Sequence, residues 1–141
     1  MTHRVSVAKV VLLNEKGLLL SLRRSETHPT RAHHLDLPGG IVDPGESEHE
    51  AALREMQEEI GLEINPNECQ LFHADTHMYE PKDSSVTRLT YMIKLDHTPD
   101  ITISWEHESY EWITIDTFIE LEEDGFYSEA LIYAIKHGLF N

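Results

Sequence analysis

One helix is specified more completely than any other part of the sequence, between Ser47 and Gly61. Ser47 and Glu50 form a capping box, in which each side chain accepts a hydrogen bond from a backbone N–H of the first turn. No Gly or Pro follows until Gly61, which occupies the position where helices commonly end in a left-handed conformation. The sequence therefore predicts a helix of about four turns that begins after Ser47 and ends at Ile60.

The predicted helix carries an acidic stripe beside an apolar face. At about 100° per residue, the carboxylates of Glu55, Glu58 and Glu59 share one stripe. Like charges at these spacings destabilise a helix by roughly a few tenths of a kcal/mol per pair. Two interpretations remain open: a solvated acidic surface, or a set of oxygen ligands for a hard divalent cation such as Mg²⁺.

A glycine-bearing loop precedes this helix and favours the second interpretation. The segment begins with Leu37-Pro38-Gly39-Gly40 and continues through Asp43-Pro44-Gly45-Glu46. Paired glycines permit a bend or a close approach of the backbone to a ligand. Together, the loop, Glu46 and the acidic helix could enclose a metal ion and a phosphate group.

The remaining pattern alternates strands with a few helices. Val5–Leu13 and Leu18–Arg23 form a predicted hairpin, and further strands are predicted at Leu71–Met78, Val86–Leu95, Ile101–Trp105 and Tyr110–Ile115, with a loop at Pro81–Ser85. A short helix capped by Asp116 and a last helix, Tyr127–His137, closed by Gly138 complete the prediction. With no internal repeat or linker, we expect residues 1–141 to form one α/β or α+β domain with helices covering a mixed sheet.

Composition excludes several classes of function. The net charge of −15 would repel the phosphate backbone of duplex nucleic acid. No window approaches the roughly 18 apolar residues that a membrane span requires, and the N-terminus does not resemble a signal peptide. The single cysteine, Cys69, indicates a reducing and cytoplasmic setting, and we expect it to be a small buried apolar residue.

The loop and the helix together resemble the Nudix hydrolase family, whose signature is Gx5Ex7REUxEExGU, where U is a bulky aliphatic residue. All nine specified places are filled at the required spacing, by Gly40, Glu46, Arg54, Glu55, Met56, Glu58, Glu59, Gly61 and Leu62. This box, Gly40–Leu62, covers 23 of 141 residues, and the flanking strands and the Glu106–Trp112 stretch also look like the family. One departure is Asp36, at a place where an aromatic residue is frequent, so base stacking there is in doubt.

The resemblance implies an α-β-α sandwich and a site for Mg²⁺, or Mn²⁺ as a substitute. Its metal ligands would be Glu55, Glu58, Glu59 and the Gly40 carbonyl. The implied catalytic residues are Glu55, Glu58, Arg54 and Glu106, with Arg54 orienting Glu55 or Glu46 by ion pairing. Gly39, Glu46 and Gly61 would have structural roles. The general base stays open between a glutamate of the box and one from a late loop, Glu106 or, less favoured, Glu108.

The resemblance also suggests substrate contacts. Arg23 and Arg24 end a strand that leads towards the active site, so either could bind phosphate, although a surface ion pair is equally consistent. His33 and His34 fit a solvated loop better than a substrate entrance, and Tyr79 lies 17 residues past the box, near where dinucleoside polyphosphate hydrolases of the family carry a tyrosine. Tyr110 and Trp112 are expected in the core because aromatic residues at alternating strand positions usually pack.

The implied reaction is hydrolysis of a diphosphate bond in a small nucleotide. A nucleoside triphosphate, in canonical or oxidised form, is the leading candidate substrate, with release of pyrophosphate. ADP-ribose or a dinucleoside polyphosphate is the alternative, and a non-catalytic nucleotide sensor is the alternative from another class. A homodimer is compatible with the family, although no exposed apolar stripe in the sequence argues for one.

Overall fold

A computed structural model gives the fold for residues 3–79 and 83–140, and the side chain of Tyr79 lies outside that description. Seven strands of this part of the chain form one sheet: β1 (His3–Leu13), β2 (Leu19–Arg24), β3 (Leu35–Asp36), β4 (Gly39–Ile41), β5 (Gln70–Tyr79), β6 (Ser84–Lys94) and β7 (His107–Ile113). The helices are α1 (Glu48–Ile60), α2 (Ile115–Leu121) and α3 (Phe126–Lys136), with a 3-10 turn at Pro66–Glu68. Within residues 3–79 and 83–140, no helix combines the length and apolar character needed to cross a membrane.

The sheet is mixed because β1 has both parallel and antiparallel neighbours. It runs parallel to β6 along its whole length, from His3 opposite Ser84 to Leu13 opposite Lys94. It is antiparallel to β2 and β4, while β7 extends the sheet beside β2 and β5 lies antiparallel to β6. The predicted mixed sheet is confirmed.

Helices cover both faces of this sheet, which explains the unbroken apolar run in β1. Val10 and Leu12 pack on the side of α1, whereas Val11 and Leu13 pack on the side of α2 and α3. Because successive side chains of a strand point to opposite faces, a strand buried on both sides must be apolar at consecutive positions. The α-β-α sandwich is thus confirmed, and Cys69, 4% exposed, belongs to the core as predicted.

Helix α1 begins and ends where the sequence predicts. The Ser47 hydroxyl accepts a hydrogen bond from the backbone N–H of Glu50 at 3.0 Å, and the Glu50 carboxylate accepts one from the Ser47 N–H at 3.4 Å. At the other end, Gly61 has a φ of 73° and donates its N–H to the Gln57 carbonyl at 3.1 Å. These local contacts determine where α1 begins and ends.

The predicted strand at Ile101–Trp105 is wrong. This segment instead runs past the C-terminal end of α1, where Thr102 N–H donates to the Ile60 carbonyl at 3.2 Å and Ser104 N–H donates to the Glu59 carbonyl at 3.1 Å. The last carbonyls of a helix have no partner within the helix. The N–H groups of Thr102 and Ser104 bond to these carbonyls and not to a neighbouring strand.

Other element boundaries differ by a few residues. Helix α2 is capped by Thr114, whose hydroxyl accepts the Thr117 N–H at 3.1 Å, and not by Asp116, which lies within the first turn. Helix α3 begins one residue earlier than predicted and is followed by Gly138 at a φ of 66°. Pro81 and Lys82 of the predicted loop lie outside the described residues, and Ser84–Ser85 already belong to β6.

The two aromatic residues of β7 have different environments. Trp112 packs against the core cluster on the α1 side, as expected. Tyr110 is 43% exposed, so the expectation that it belongs to the core is wrong. It lies opposite Leu22 in β2.

Candidate active site

The glycine pair of the box brings the backbone of β4 against its neighbours. Gly39 has a φ of 135°, and a Cβ at this position would collide with the Ala8 carbonyl oxygen of β1. At Gly40, a Cβ would lie 2.6 Å from Oε1 of Glu55. Glycine is therefore required at Gly39 for the pairing of β4 with β1, whereas a side chain at Gly40 would displace the Glu55 carboxylate.

Arg54 ties the acidic residues of the box together. Its guanidinium donates to both oxygens of Glu46, with Nε–Oε2 at 2.7 Å and Nη2–Oε1 at 3.0 Å. Nη1 donates to Glu55 at 3.0 Å and to Glu58 at 2.9 Å. A planar guanidinium suits such bidentate contacts, so Arg54 orients three carboxylates at once. The predicted ion pairing of Arg54 with Glu55 and Glu46 is present.

Glu59 is the most deeply buried carboxylate of the acidic stripe. It is 3% exposed and accepts a hydrogen bond from the Gly39 backbone N–H at 3.0 Å. Burial raises the pKa of Glu59 to about 8, and the charge of Lys9 and the bond from Gly39 offset this effect only in part. Burial also raises the pKa of Glu55, against the opposing charge of Arg54. Ionising this pair therefore calls for additional positive charge.

Glu55 and Glu59 line a cavity of about 880 Å³ beside the β4 edge. Its volume lies in the range of small-molecule sites. Three further acidic residues, Asp36, Asp43 and Glu106, also line it. The same wall carries basic side chains, namely Lys9, Arg24, Arg31 and Arg88. A cavity that carries both carboxylates and basic side chains suits an anionic ligand that a cation bridges to the carboxylates.

A second buried network stands next to the box, centred on Asp36, which is 1% exposed. Oδ1 accepts hydrogen bonds from Lys9 Nζ at 3.0 Å and from the Tyr127 hydroxyl at 2.7 Å. Oδ2 lies 3.1 Å from Arg24 Nη1, which donates to it. His107 Nε2 is 2.9 Å from the same oxygen and must donate, because a carboxylate only accepts.

The charges of this network stabilise one another. Burial alone would raise the pKa of Asp36, but the charge of Lys9 and the hydrogen bond from His107 hold that pKa well below its usual range. Burial would also lower the pKa of Lys9, yet the Asp36 carboxylate raises it above the usual value. Lys9 Nζ further donates to the carbonyls of Leu37 and Gly39, at 3.0 and 3.2 Å. The network thereby supports the backbone that carries the box.

Asp36 is the acceptor at the centre of this network. Sequence reasoning missed the roles of Lys9, Asp36 and His107. One signal was available, because Lys9 is a charged residue among apolar neighbours in β1, with Ala8 before it and Val10 after it. A buried charge of this kind needs a partner or a ligand.

The predicted phosphate contacts, Arg23 and Arg24, have different positions. Arg24 lines the cavity, but its guanidinium is engaged by Asp36, Thr30 and His28. Arg23 is directed away, donating to the His33 carbonyl at 2.6 Å, and is not among the residues on the wall of the described cavity.

The two late-loop glutamates are also separated. Glu106 lines the cavity, with Oε2 3.7 Å from His28 Nε2. Glu108 pairs with His33 Nδ1 at 2.5 Å on the exposed surface, and His34 pairs with Asp124 at 3.1 Å. Of the two predicted candidates, only Glu106 reaches the cavity in the described part of the chain. The side chain of Tyr79 lies outside the described residues.

The donor set of the box fits a hard divalent cation. Carboxylate oxygens from Glu55 and Glu59 are partly buried, carry raised pKa values and lie beside the Gly40 backbone. Glu58 has an exposed side chain on the same helix, held by Arg54. Oxygen-only donors are those that Mg²⁺ and Mn²⁺ prefer. Separately, Asp75, His77 and Glu129 bring ligand atoms within 4.8 Å of one another, away from the box.

Comparisons with known proteins agree with this arrangement. The chain is 33% identical over 94 residues to a bis(5'-nucleosyl)-tetraphosphatase (asymmetrical) of Caenorhabditis elegans, with 64% of this chain and 66% of that protein covered. It is 27% identical over 131 residues to an 8-oxo-dGTP diphosphatase of Escherichia coli K12, covering 87% and 88%. The alignment thus spans slightly less than two thirds of the tetraphosphatase.

A solved structure supports the same relationship at the level of the fold. The MutT protein from Methanosarcina mazei Go1 superposes with a TM-score of 0.85 at 25% identity, covering 97% of this chain and 96% of that protein. The family model described as NUDIX domain matches residues 2–133. Because it carries the complete box and matches this model across nearly its whole length, the chain belongs to the NUDIX domain family.

Proposed function

We propose that this protein hydrolyses a diphosphate bond in a small nucleotide and that it requires Mg²⁺ or Mn²⁺. The observation that carries the proposal is the convergence of Glu55 and Glu59 on the Gly39–Gly40 edge, inside a cavity that is also lined by four basic side chains. The coarser assignment, a NUDIX hydrolase, is supported by the relatives, which are named as hydrolases of nucleotides. Residues 1–141 form one domain in this proposal.

Glu55, Glu58 and Glu59, with the Gly40 carbonyl, would hold the cation. When bound, a divalent cation neutralises charge on the diphosphate oxygens and promotes the ionisation of water. Arg54 keeps Glu55 and Glu58 in place through its hydrogen bonds of 3.0 and 2.9 Å. The side chain of Glu46 fixes Arg54 in turn.

A carboxylate must accept the proton of the attacking water, and two side chains on the cavity wall are suited to this task. Glu59 has a pKa of about 8 from burial, which lies near neutral pH as general bases require. Glu106 is more exposed and has His28 beside it. We favour Glu106 as the acceptor of this proton, because the Glu59 carboxylate already accepts a hydrogen bond from Gly39 and would also hold the cation.

The substrate is proposed to be a nucleoside triphosphate, in canonical or oxidised form, which would release pyrophosphate. The similarity to the Escherichia coli 8-oxo-dGTP diphosphatase, over 87% of the chain, supports this choice. A dinucleoside polyphosphate is the second candidate, because the higher identity of 33% is with the asymmetrical tetraphosphatase. Both substrates present a polyphosphate chain to a cavity that is lined by acidic and basic side chains.

A panel of nucleotides tests the proposal. Purified protein is incubated with Mg²⁺ or Mn²⁺ and canonical or oxidised nucleoside triphosphates, dinucleoside tetraphosphate, ADP-ribose or nucleotide sugars, and the products are resolved by ion-exchange chromatography. Metal-dependent release of a nucleoside monophosphate with pyrophosphate supports the leading candidate. Asymmetric cleavage of the dinucleoside compound favours the second. No turnover of any compound, with a bound nucleotide detected by calorimetry, would favour the nucleotide sensor instead.

A further inference from the structure

Arg88 is a buried basic residue on the cavity wall, and it lies outside the box. It lies on β6, with Val86 and Ser84 at the alternate positions of the same strand, and all three line the cavity. Arg88 is 7% exposed, and its Nε and Nη1 are buried without a hydrogen-bond acceptor among the described residues. Nearly all buried polar groups of proteins have a partner, so this side chain is prepared for one that a ligand supplies.

The charge of Arg88 is also left without a carboxylate. Arg24 is paired with Asp36 at 3.1 Å and Arg54 with Glu46 at 2.7 Å, whereas no carboxylate oxygen of the described residues lies within 4.0 Å of Arg88. Its cross-strand neighbour Asp75 interacts with His77 at 2.8 Å instead. An isolated buried cation is unfavourable, and an anion that enters the cavity would relieve it.

Aromatic rings hold the guanidinium in a fixed orientation. Its Cζ lies 4.8 Å from the ring centroid of Phe126 and 5.5 Å from that of Tyr127. Arg31 approaches Phe126 at the same distance of 4.8 Å, which adds a second positive charge to this end of the cavity. Stacked rings occupy the faces of a guanidinium and leave the N–H groups at its edge free to donate.

The position of Arg88 separates it from the carboxylates of the box. Val7 of β1 lies opposite Ile41 of β4 on one side and Arg88 of β6 on the other. Two strand spacings therefore lie between the β4 edge, where Glu55 approaches, and the Arg88 backbone, a distance of about 10 Å. An extended ligand can contact both ends.

We propose that Arg88 binds a phosphate group of the substrate that is remote from the bond being cleaved. This inference rests on the proposed function and narrows its substrate class to nucleotides with three or more linked phosphates. The planar fork of a guanidinium matches phosphate oxygens, and the missing counter-charge calls for an anion and not a neutral base. ADP-ribose, whose two phosphates lie between two sugars, has no phosphate remote from its diphosphate bond and would not use Arg88.

Steady-state kinetics of Arg88→Gln with a nucleoside triphosphate and the matching diphosphate test the inference. We expect kcat/KM for the triphosphate to fall roughly 10- to 100-fold, mainly through KM, while the value for the diphosphate changes little. The exposed Arg4→Gln removes the same charge from β1 and serves as the matched control. Equal losses for both substrates would overturn the inference, and a change in base preference would indicate that Arg88 contacts the nucleobase.

A binding measurement separates this inference from the hydrolase proposal. Calorimetry with inorganic tripolyphosphate should show an affinity that falls by a similar factor in Arg88→Gln and less in Arg88→Lys, which keeps the charge but loses the planar fork. Binding of tripolyphosphate through Arg88 without turnover of any nucleotide would contradict the hydrolase function alone. Turnover and tripolyphosphate affinity that are unchanged in Arg88→Gln would contradict the inference alone. Thermal melting of both variants shows that they are folded.

Discussion

The Glu59 carboxylate accepts a hydrogen bond from the backbone N–H of Gly39 at 3.0 Å, and this contact joins helix α1 to strand β4. The bond keeps an acidic side chain at 3% exposure beside the cavity. Because burial raises the pKa of Glu59 to about 8, the free protein is destabilised when this group ionises. The buried carboxylate that suits the box to a cation thus lowers the stability of the protein when no cation is bound.

This relationship predicts how stability depends on pH in the presence of a chelator. Glu59 retains its proton in the folded protein up to about pH 8, whereas it loses it near pH 4.5 when unfolded. The folded state then binds more protons, so the free energy of unfolding falls as pH rises from about 4.5 to about 8, by at most about 1.4 kcal/mol per pH unit from this group. Denaturant titrations across this range measure the slope.

Glu59→Gln should reduce that slope and stabilise the metal-free protein at pH 8. Glu63, an exposed glutamate shortly after the end of α1, provides the matched control, and Glu63→Gln should leave the slope unchanged. An identical pH dependence in wild type and Glu59→Gln would show that Glu59 ionises normally. The interpretation of its burial would then be wrong.

Arg54→Lys tests the guanidinium as a positioning residue. One ammonium group cannot hold both oxygens of Glu46 and also reach Glu55 and Glu58, so the carboxylates lose their fixed orientation. We expect the Mg²⁺ concentration for half-maximal activity to rise about 10- to 100-fold, the range typical of residues that orient metal ligands. Arg4→Lys is the control. A lower melting temperature of the metal-free protein, with no change in the Mg²⁺ requirement, would point to a purely structural role.

Asp36→Asn tests the buried network that supports the box. The substitution leaves Lys9 as a buried cation without its counter-charge, and we expect a loss of about 3 kcal/mol or more in the free energy of unfolding. Because the pKa of Asp36 is lowered in the folded protein, its stabilisation is complete above about pH 4 and is lost as pH falls further. Wild type should therefore lose more stability on acidification than the variant does.

Denaturant midpoints of Asp36→Asn and of the exposed Asp100→Asn provide this comparison. Comparable stability of the two variants would mean that the network contributes little. A mild effect of Asp36→Asn combined with normal activity would further argue that Lys9 does not depend on this carboxylate to support the Gly39 backbone.

Gly39→Ala separates backbone strain from close packing. Gly39 and Gly17 both have positive φ, 135° and 74°, but only at Gly39 would a Cβ meet another backbone, that of Ala8 and Lys9; nothing lies within 4 Å of a Cβ at Gly17. We expect Gly17→Ala to destabilise by about 1 to 2 kcal/mol from strain, and Gly39→Ala by clearly more. Equal shifts in denaturant midpoint would exclude a close contact between β4 and β1.

The sequence was sufficient for features with local causes. The caps of α1 involve residues three to four positions apart, and the helical period puts Glu55 and Glu59 on one stripe whatever surrounds them. The run Val10–Leu13 is likewise predicted to be a strand, and it forms the buried end of β1. For these elements, the structure confirms what the pattern indicates.

Long-range contacts could not be predicted from the sequence. Asp36 interacts with Lys9, 27 residues away, and with Tyr127, 91 residues away, and no local pattern pairs them. The alternation of Ile101 and Ile103 indicated a strand, but the N–H groups of this segment bond to the last carbonyls of α1, so the segment does not join the sheet. Arg88 lies on a strand that also carries Ser and Thr, so the sequence reveals neither that its side chain is buried nor whether its partner is a side chain or a ligand.

The central claim, cation-dependent hydrolysis by the acidic stripe of α1, is tested most directly by nucleotide turnover in wild type and Glu55→Gln. The best substrate of the panel is assayed with Mg²⁺ and with a chelator, and Glu63→Gln serves as the control. We predict turnover that depends on Mg²⁺ in wild type and Glu63→Gln, and a loss of at least about 100-fold in Glu55→Gln. Turnover that persists in the chelator, or an unaffected Glu55→Gln, would contradict the claim.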